Sequence, residues 1–283
     1  MIKVKAGEKE ITLTPTIFPD GTSQIWKLDP EILSARSYLI TWNFESEREI
    51  IDLYSFMKLL RDSNPGYTDF MVTFSGPIPS RPYVALHIPY LPYGRQDKKI
   101  GNDATFNLSV FANLINALEF NAVVTLDAHN PETTKKLIKN FVNMPPSEVH
   151  KKIISQLEPT FIVFPDKGAM ERYGTGLSQI HTIFCDKVRD QATGQILGIT
   201  IDMNGNRDFI NRDRLLIVDD ICDGGATFIG VAKALKEKNE HMQINLFVTH
   251  GIFSRGKDHL LQNGIDEVYT TNSLLKNKDG FPV

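Results

Sequence analysis

Short apolar, β-branched runs alternate along this chain with longer stretches of helical spacing, the pattern of a layered α/β architecture. In the first half the pattern predicts strands over residues 10–16, 24–28, 38–42, 70–74, 83–88 and 122–126. A helix is predicted over 46–61, where Ile50, Leu53, Met57 and Leu60 recur on one face, and another over 106–118. Residues 139–146 read as a boundary, because Met144-Pro145-Pro146 breaks the periodicity and Ser147 can open a new helix. The second half repeats the scheme, with strands over 161–164, 180–185, 215–218, 244–249 and 267–270 and helices over 148–157, 227–238 and 257–263. The expected division is therefore 1–141 and 142–283. Each domain should hold a mainly parallel sheet flanked by helices, with ligands taken at strand C-terminal ends in a cleft between the domains.

Composition narrows this picture. The 283 residues are 41% hydrophobic and 23% charged, and 31 Lys plus Arg stand against 34 Asp plus Glu. No global basic field draws such a chain to nucleic acid or to an anionic membrane. Cys185 and Cys222 are too few for a disulfide framework. Residues 1–11 contain no apolar core of signal-peptide length, so a cytoplasmic location is expected.

The strongest chemical signal is Leu215-Leu216-Ile217-Val218-Asp219-Asp220-Ile221-Cys222-Asp223-Gly224-Gly225-Ala226-Thr227. A continuous apolar run reads as a strand buried on both faces. It leads into Asp219, Asp220 and Asp223, then a small-residue loop, then an amphipathic helix. Carboxylates at a strand end can accept from sugar hydroxyls or hold Mg²⁺. A loop of small residues lets backbone N–H groups approach a phosphate, and the helix N-terminus adds positive potential. The bland reading makes these acids caps of a βα turn, but three carboxylates so close are costly without a partner.

This segment resembles the phosphoribosyl-diphosphate-binding motif shared by phosphoribosyltransferases and ribose-phosphate pyrophosphokinases. Other segments resemble the pyrophosphokinases alone. Pro89-Tyr90-Leu91-Pro92-Tyr93-Gly94-Arg95-Gln96-Asp97-Lys98-Lys99 is similar to their signature, and puts three cations in one loop suited to a triphosphate. Val123-Val124-Thr125-Leu126-Asp127-Ala128-His129 is similar to the family segment whose histidine helps hold the Mg²⁺ of Mg-ATP. Phe164-Pro165-Asp166-Lys167-Gly168-Ala169 resembles a family turn whose aspartate sits at a metal or sugar site, although Pro-Asp-x-Gly is a common turn. Phe18-Pro19-Asp20-Gly21 resembles the adenine-contact segment that reaches a neighbouring subunit's ATP site. Lys187 and Arg189, in the polar connection between Cys185 and Met203, match a catalytic Lys-x-Arg on a mobile loop, and a solvated hairpin is the competing reading there. Thr249–Ser254 and Thr271–Ser273 are family-like and read as structural pieces. The chain departs from the family in carrying Thr22 where a glutamate is usual, in lacking the first helix, and in a longer stretch over 64–81.

The resemblance implies two phosphoribosyltransferase-like domains, the first binding ATP and the second ribose phosphate. It implies Mg-dependent transfer of the diphosphate of ATP to the 1-hydroxyl of a ribose 5-phosphate group, with AMP leaving, in a homo-oligomer. Phe18, Asp20, Arg95, Gln96, Asp97 and Lys98 would take ATP, and His129 and Asp166 the metal. His129, Lys187 and Arg189 would be catalytic. Asp219, Asp220, Asp223, Gly224, Gly225, Ala226 and Thr227 would hold the ribose phosphate. Where the family loop usually reads Asp-Thr-x-Gly-Thr, this chain has Gly224 in place of the first threonine. That change suits an acceptor larger than ribose 5-phosphate, such as ADP-ribose; the competing reading is that the backbone N–H groups of Gly224 and Gly225 approach closely enough to compensate, and ribose 5-phosphate is the acceptor. The alternatives are a phosphoribosyltransferase, which would need no ATP loop, and a regulatory homologue without catalysis.

Overall fold

A computed structural model describes residues 1–64, 81–189, 196–274 and 279–282, with 187–189 and 196–197 described by backbone alone. The chain divides into two compact units, Met1–Met144 and Pro145–Val283. The predicted strand over 70–74 lies outside the described residues.

The first unit contains β1 (Ile2–Ala6), β2 (Lys9–Thr12), β3 (Thr16–Ile17), β4 (Ser23–Gln24), α1 (Pro30–Leu33), β5 (Ser37–Trp42) and α2 (Glu49–Ser63). It continues with β6 (Tyr83–Ile88), α3 (Asn107–Asn116), β7 (Ala122–Leu126), α4 (Pro131–Leu137) and β8 (Phe141–Met144). Six strands form one sheet in the order β2-β1-β5-β6-β7-β8, while β3 and β4 make a small separate hairpin. Strands β5 to β8 are parallel, and β1 pairs antiparallel with both β2 and β5. One hydrophobic core forms on the α2–α3 side, around Trp42, Phe56, Leu86 and Phe111.

Three expectations fail here for local reasons. The predicted strand over 10–16 is two pieces, because Pro15 has no N–H for a ladder. The one over 24–28 shrinks to Ser23–Gln24, since Lys27 turns the chain at φ 49°. The division at 141/142 falls three residues before Met144, because Phe141–Met144 completes the first sheet by pairing with β7. Strand β1 escaped notice, though Ile2, Val4 and Ala6 alternate with lysines and are buried.

The second unit contains α5 (Ser147–Leu157), β9 (Phe161–Phe164), α6 (Lys167–Tyr173), β10 (His181–Arg189), β11 (Ile196–Asp202) and β12 (Arg214–Cys222). It ends with α7 (Ala226–Lys238), β13 (Gln243–Gly251), α8 (Lys257–Leu261) and β14 (Glu267–Thr270). Its six-stranded sheet runs β11-β10-β9-β12-β13-β14, parallel except for β11. Alternate residues of β9 and β12 feed two cores: Phe161, Val163, Leu215 and Ile217 on one side, Ile162, Phe164, Leu216 and Val218 on the other. Helices thus cover both faces, which is why these strands read as unbroken apolar runs. No helix among the described residues is long and apolar enough to cross a membrane.

Candidate functional site

In the first unit, neighbouring parallel strands β6 and β7 end side by side and release two loops. The loop after β6 carries Tyr93 at φ 61°, and the turn after β7 carries Asp127 at φ 45°. Non-glycine residues in this region of backbone space are uncommon and gather at functional turns. The two loops touch: a Cβ added to Gly94 would lie 3.9 Å from His129 Cβ. Asn130 Nδ2 donates to Asp97 Oδ2 at 2.7 Å, while Asn130 Oδ1 accepts from Thr133 N at 3.0 Å and caps α4. Two segments far apart in sequence are thereby tied together. The Tyr93 ring packs 5.4 Å from that of Phe111, and its hydroxyl donates to Glu47. Burial, then this carboxylate, push the Tyr93 phenol up to about 12, so it stays protonated. Arg95, Gln96 and Lys98 are exposed on this frame, with Asp97 and His129 half-buried. A cationic loop resting on a rigid Pro–Tyr support can receive an extended polyanion without refolding.

Phe18 lies elsewhere in the unit, beside the β3–β4 hairpin, where its ring faces Trp26 at 6.2 Å. Trp26 is 50% exposed, so the pair offers an aromatic surface. Asp20 Oδ1 accepts from the Thr22 hydroxyl at 2.7 Å and from its N–H at 3.0 Å, which holds the carboxyl below the usual range.

In the second unit, β9, β12 and β13 bring their C-terminal ends together. Asp166 caps α6, accepting from Ala169 N at 3.1 Å. Six residues along, the same helix delivers Arg172, which is the residue that sequence reasoning missed. Its guanidinium reaches Asp219 Oδ1 at 2.9 Å and both oxygens of Asp220 at 2.9 and 2.8 Å. Asp219 and Asp220 are 8% and 2% exposed, so the charge of Arg172 is what makes burying two adjacent acids tolerable. Burial, then the neighbouring Asp220, still raise the Asp219 carboxyl well above its usual value, against the opposing pull of Arg172. The signal for Arg172 was chemical: paired acids at a buried strand end demand a cation. Asp166 also acts on Cys185, whose thiol is pushed up to about 12 by burial and then by that carboxylate.

Beyond the acid pair, Asp223 and Gly224 lead to Gly225, which caps α7 with φ 80°. A Cβ at Gly225 would lie 2.6 Å from Leu260 Cδ2, so both conformation and space demand glycine. The first N–H groups of α7, from Ala226 and Thr227 onward, have no partner within the helix and present a ready anion site. Thr249–Ser254 and Thr271–Ser273 meet beside this strand end: His250 Nδ1 lies 2.8 Å from Ser273 Oγ, and Thr271 Oγ1 donates to Thr249 O at 2.6 Å.

Lys187 and Arg189 belong to β10 rather than to a loop. Their backbones pair with Ile199 and Ile196 of β11, with a register shift between Val188 and Arg189. Polar residues extend this strand because the ladder satisfies their backbone whatever their side chains, which lie outside the described atoms. The connection that follows, 190–195, is also outside the described residues.

His129 and Asp166 fall in different units. Among the described residues no three His, Cys, Asp or Glu side chains gather into a metal site. Mg²⁺ commonly takes only one or two protein donors and completes its shell with water and substrate phosphates, and the oxygen donors of Asp166 fit that habit.

No protein-family profile matches the chain. It is similar to the ribose-phosphate pyrophosphokinase of Mycoplasmopsis pulmonis, 27% identical over 278 residues, covering 93% of this chain and 77% of the relative. The enzyme of the same name from Sulfurisphaera tokodaii is 23% identical over 91% of this chain and 83% of its own length. That from Pyrococcus furiosus is 28% identical over 66% of this chain and 65% of its own. In three dimensions the chain resembles the crystal structure of phosphoribosylpyrophosphate synthetase from Mycobacterium smegmatis, with a TM-score of 0.70 and 19% identity over 94% of this chain and 82% of that one. Sequence similarity along nearly the whole length and a shared fold make this chain similar to the ribose-phosphate pyrophosphokinases.

Proposed function

We propose that this chain transfers the diphosphate group of Mg-bound ATP to the anomeric hydroxyl of a 5-phosphoribosyl acceptor and releases AMP. The observation that carries this reading is the buried Asp219–Asp220 pair, clamped by Arg172 and running directly into the glycine loop at the start of α7. Carboxylates held by a guanidinium keep lone pairs for sugar hydroxyls, and the loop N–H groups face the 5-phosphate. The names of the curated relatives support the same reaction class.

On this reading Arg95, Gln96, Asp97 and Lys98 take the triphosphate, and Phe18 and Asp20 the adenine. His129 in the first unit and Asp166 in the second would each offer a donor to Mg²⁺, which would neutralise phosphoryl charge. The acceptor's 1-oxygen bonds to the β-phosphorus, and the bond from that phosphorus to the α–β bridging oxygen breaks. AMP leaves, and the hydroxyl proton passes to solvent. The protein's work is positioning and charge stabilisation, with Lys187 and Arg189 on the developing charge of the transferring group. The reaction would take place within a homo-oligomer.

The acceptor itself is proposed to be larger than ribose 5-phosphate. Gly224 offers no hydroxyl to a terminal phosphate dianion, and one lost hydrogen bond to a charged group costs about 1.5–3 kcal/mol. A phosphate esterified onward, as in ADP-ribose, carries less charge there and still presents a free anomeric hydroxyl. The test is AMP formation from Mg-ATP with either acceptor. AMP with ADP-ribose in preference to ribose 5-phosphate supports both parts; a preference for ribose 5-phosphate removes the larger acceptor; no AMP with either, with or without Mg²⁺, removes the reaction.

A further inference from the structure

The glycine loop has a neighbour that the catalytic assignments leave unused. The turn after β13 is fastened to the end of β12, where Ile252 N and Phe253 N both donate to Cys222 O at 2.8 and 3.0 Å. Phe253 turns at φ 44° and Gly256 at φ 78°, and Gly256 N closes the turn onto Phe253 O at 2.9 Å. Between them stand Ser254 and Arg255, both exposed. A Cβ built on Gly224 would lie 3.8 Å from Arg255 Nε and 3.9 Å from Ser254 Oγ. A methyl group would fit there in ordinary contact, and a longer side chain at position 224 directed that way would meet the guanidinium. The missing side chain at Gly224 is therefore the space along which Arg255 lies against the loop.

We propose that Arg255 is a specificity-determining residue, which binds the second phosphate of an acceptor whose 5-phosphate is part of a diphosphate. This rests on the reading of the loop as the acceptor's phosphate site. A first phosphate seated on the N–H groups of α7 needs no additional cation at the rim, since the loop encloses it. A diphosphate continues outward from the loop, and the turn that carries Arg255 is held at that edge by two backbone anchors. A planar fork of N–H donors suits phosphate oxygens, and an exposed arginine gains most from a ligand that reaches out to it. Ser254 Oγ, at the same distance from Gly224, can donate to the bridging region.

The test titrates ADP-ribose and ribose 5-phosphate by calorimetry into wild type, Arg255→Ala and Arg255→Lys, each saturated with a non-hydrolysable ATP analogue so that only the acceptor site is read. Arg255→Ala should raise the Kd for ADP-ribose ~10- to 100-fold, the range for a charged hydrogen bond lost to solvent, and leave that for ribose 5-phosphate within about threefold. Arg255→Lys should recover part of the loss, as a point charge without the fork. Gly224→Thr should shift preference the same way as Arg255→Ala, by pushing the guanidinium aside. An equal loss for both ligands would place Arg255 on the first phosphate and overturn the inference, as would no change for either, or no ADP-ribose binding by wild type. Loss of discrimination in a protein that forms no AMP with either acceptor would uphold this role for Arg255 and reject the transfer reaction, so the two failures are distinguishable.

Discussion

Strand β12 in the second unit is buried along nearly its whole length, whereas β6 in the first alternates buried positions with half-buried or exposed ones. The second face of the first sheet shows the difference: Leu39, Tyr83 and Met144 are 42%, 53% and 46% exposed. A sheet with cores on both sides can hold polar groups at its strand ends in a fixed, dry frame, because nothing there is left to water. A sheet with one core must support its functional loops from the loops themselves. The two candidate regions follow that rule. The second unit carries an acid pair locked by Arg172 from a packed helix. The first carries an exposed cationic loop, held by strained turns at Tyr93 and Asp127 and by the Asn130–Asp97 hydrogen bond.

The largest expected break in this contrast is Arg172→Ala. Removing the cation leaves two buried carboxylates uncompensated, which should destabilise the protein by about 3–5 kcal/mol. Urea denaturation checks this, and the loss should shrink as pH falls and the acid pair takes up a proton. A loss below about 1 kcal/mol at neutral pH would mean that water, not Arg172, satisfies the acids.

Next in size are Lys187→Ala and Arg189→Ala. Each should lower kcat by ~10²-fold, about 2.7 kcal/mol, with ATP affinity little changed. Normal turnover in both would leave β10 and β11 as a solvated hairpin, and the second unit's contribution would end at its rigid frame.

The third variant sharpens the comparison through pH. His150 is 5% exposed between the rings of Tyr173 and Phe247, and burial lowers its imidazole to about 4. Its folded value lies below the unfolded one near 6.5, so the unfolded chain binds the proton more readily. The contribution of neutral His150 is fully present above 6.5 and is lost as pH falls towards 4, by about 2 kcal/mol at pH 5. Thermal melts from pH 7 to 5 should show this slope, and His150→Phe should flatten it. An unchanged slope would put the pH sensitivity in other groups.

The smallest effect belongs to the first unit. Asn130→Ser keeps a capping side chain for α4 but loses the amide that holds Asp97. Stability should change by less than about 1 kcal/mol, while the KM for ATP rises roughly threefold to tenfold. An unchanged KM would show that the loop does not depend on this tie.

Much of the second unit was legible because its strands carry their own signal. Phe161–Phe164 and Glu267–Thr270 were read end to end, as were Tyr83–Ile88 and Ala122–Leu126 in the first unit. Parallel strands under helices are runs of apolar residues bounded by turns, and that pattern is local. Short polar elements are not legible in this way: the residues of α6 read as a turn, and those at the end of β10 as a loop. The seven residues of α6 hold too little periodicity to declare a helix, which is secured by the Asp166 cap and by packing against β9, β10 and β12.

The sequence by itself determined the alternation of strands and helices, the acids and glycines that follow β12, and the cations that follow β6, since each is written in consecutive residues. Tertiary structure alone decided which groups meet. Arg172 stands 47 positions from Asp219, Asn130 stands 33 from Asp97, and Arg255 reaches Gly224 only because β13 pairs with β12 in the register that sets Gly251 beside Cys222. Such pairings depend on strand order and on the space between packed helices, which no short window of residues encodes, because burial energy is shared among contacts from the whole sheet.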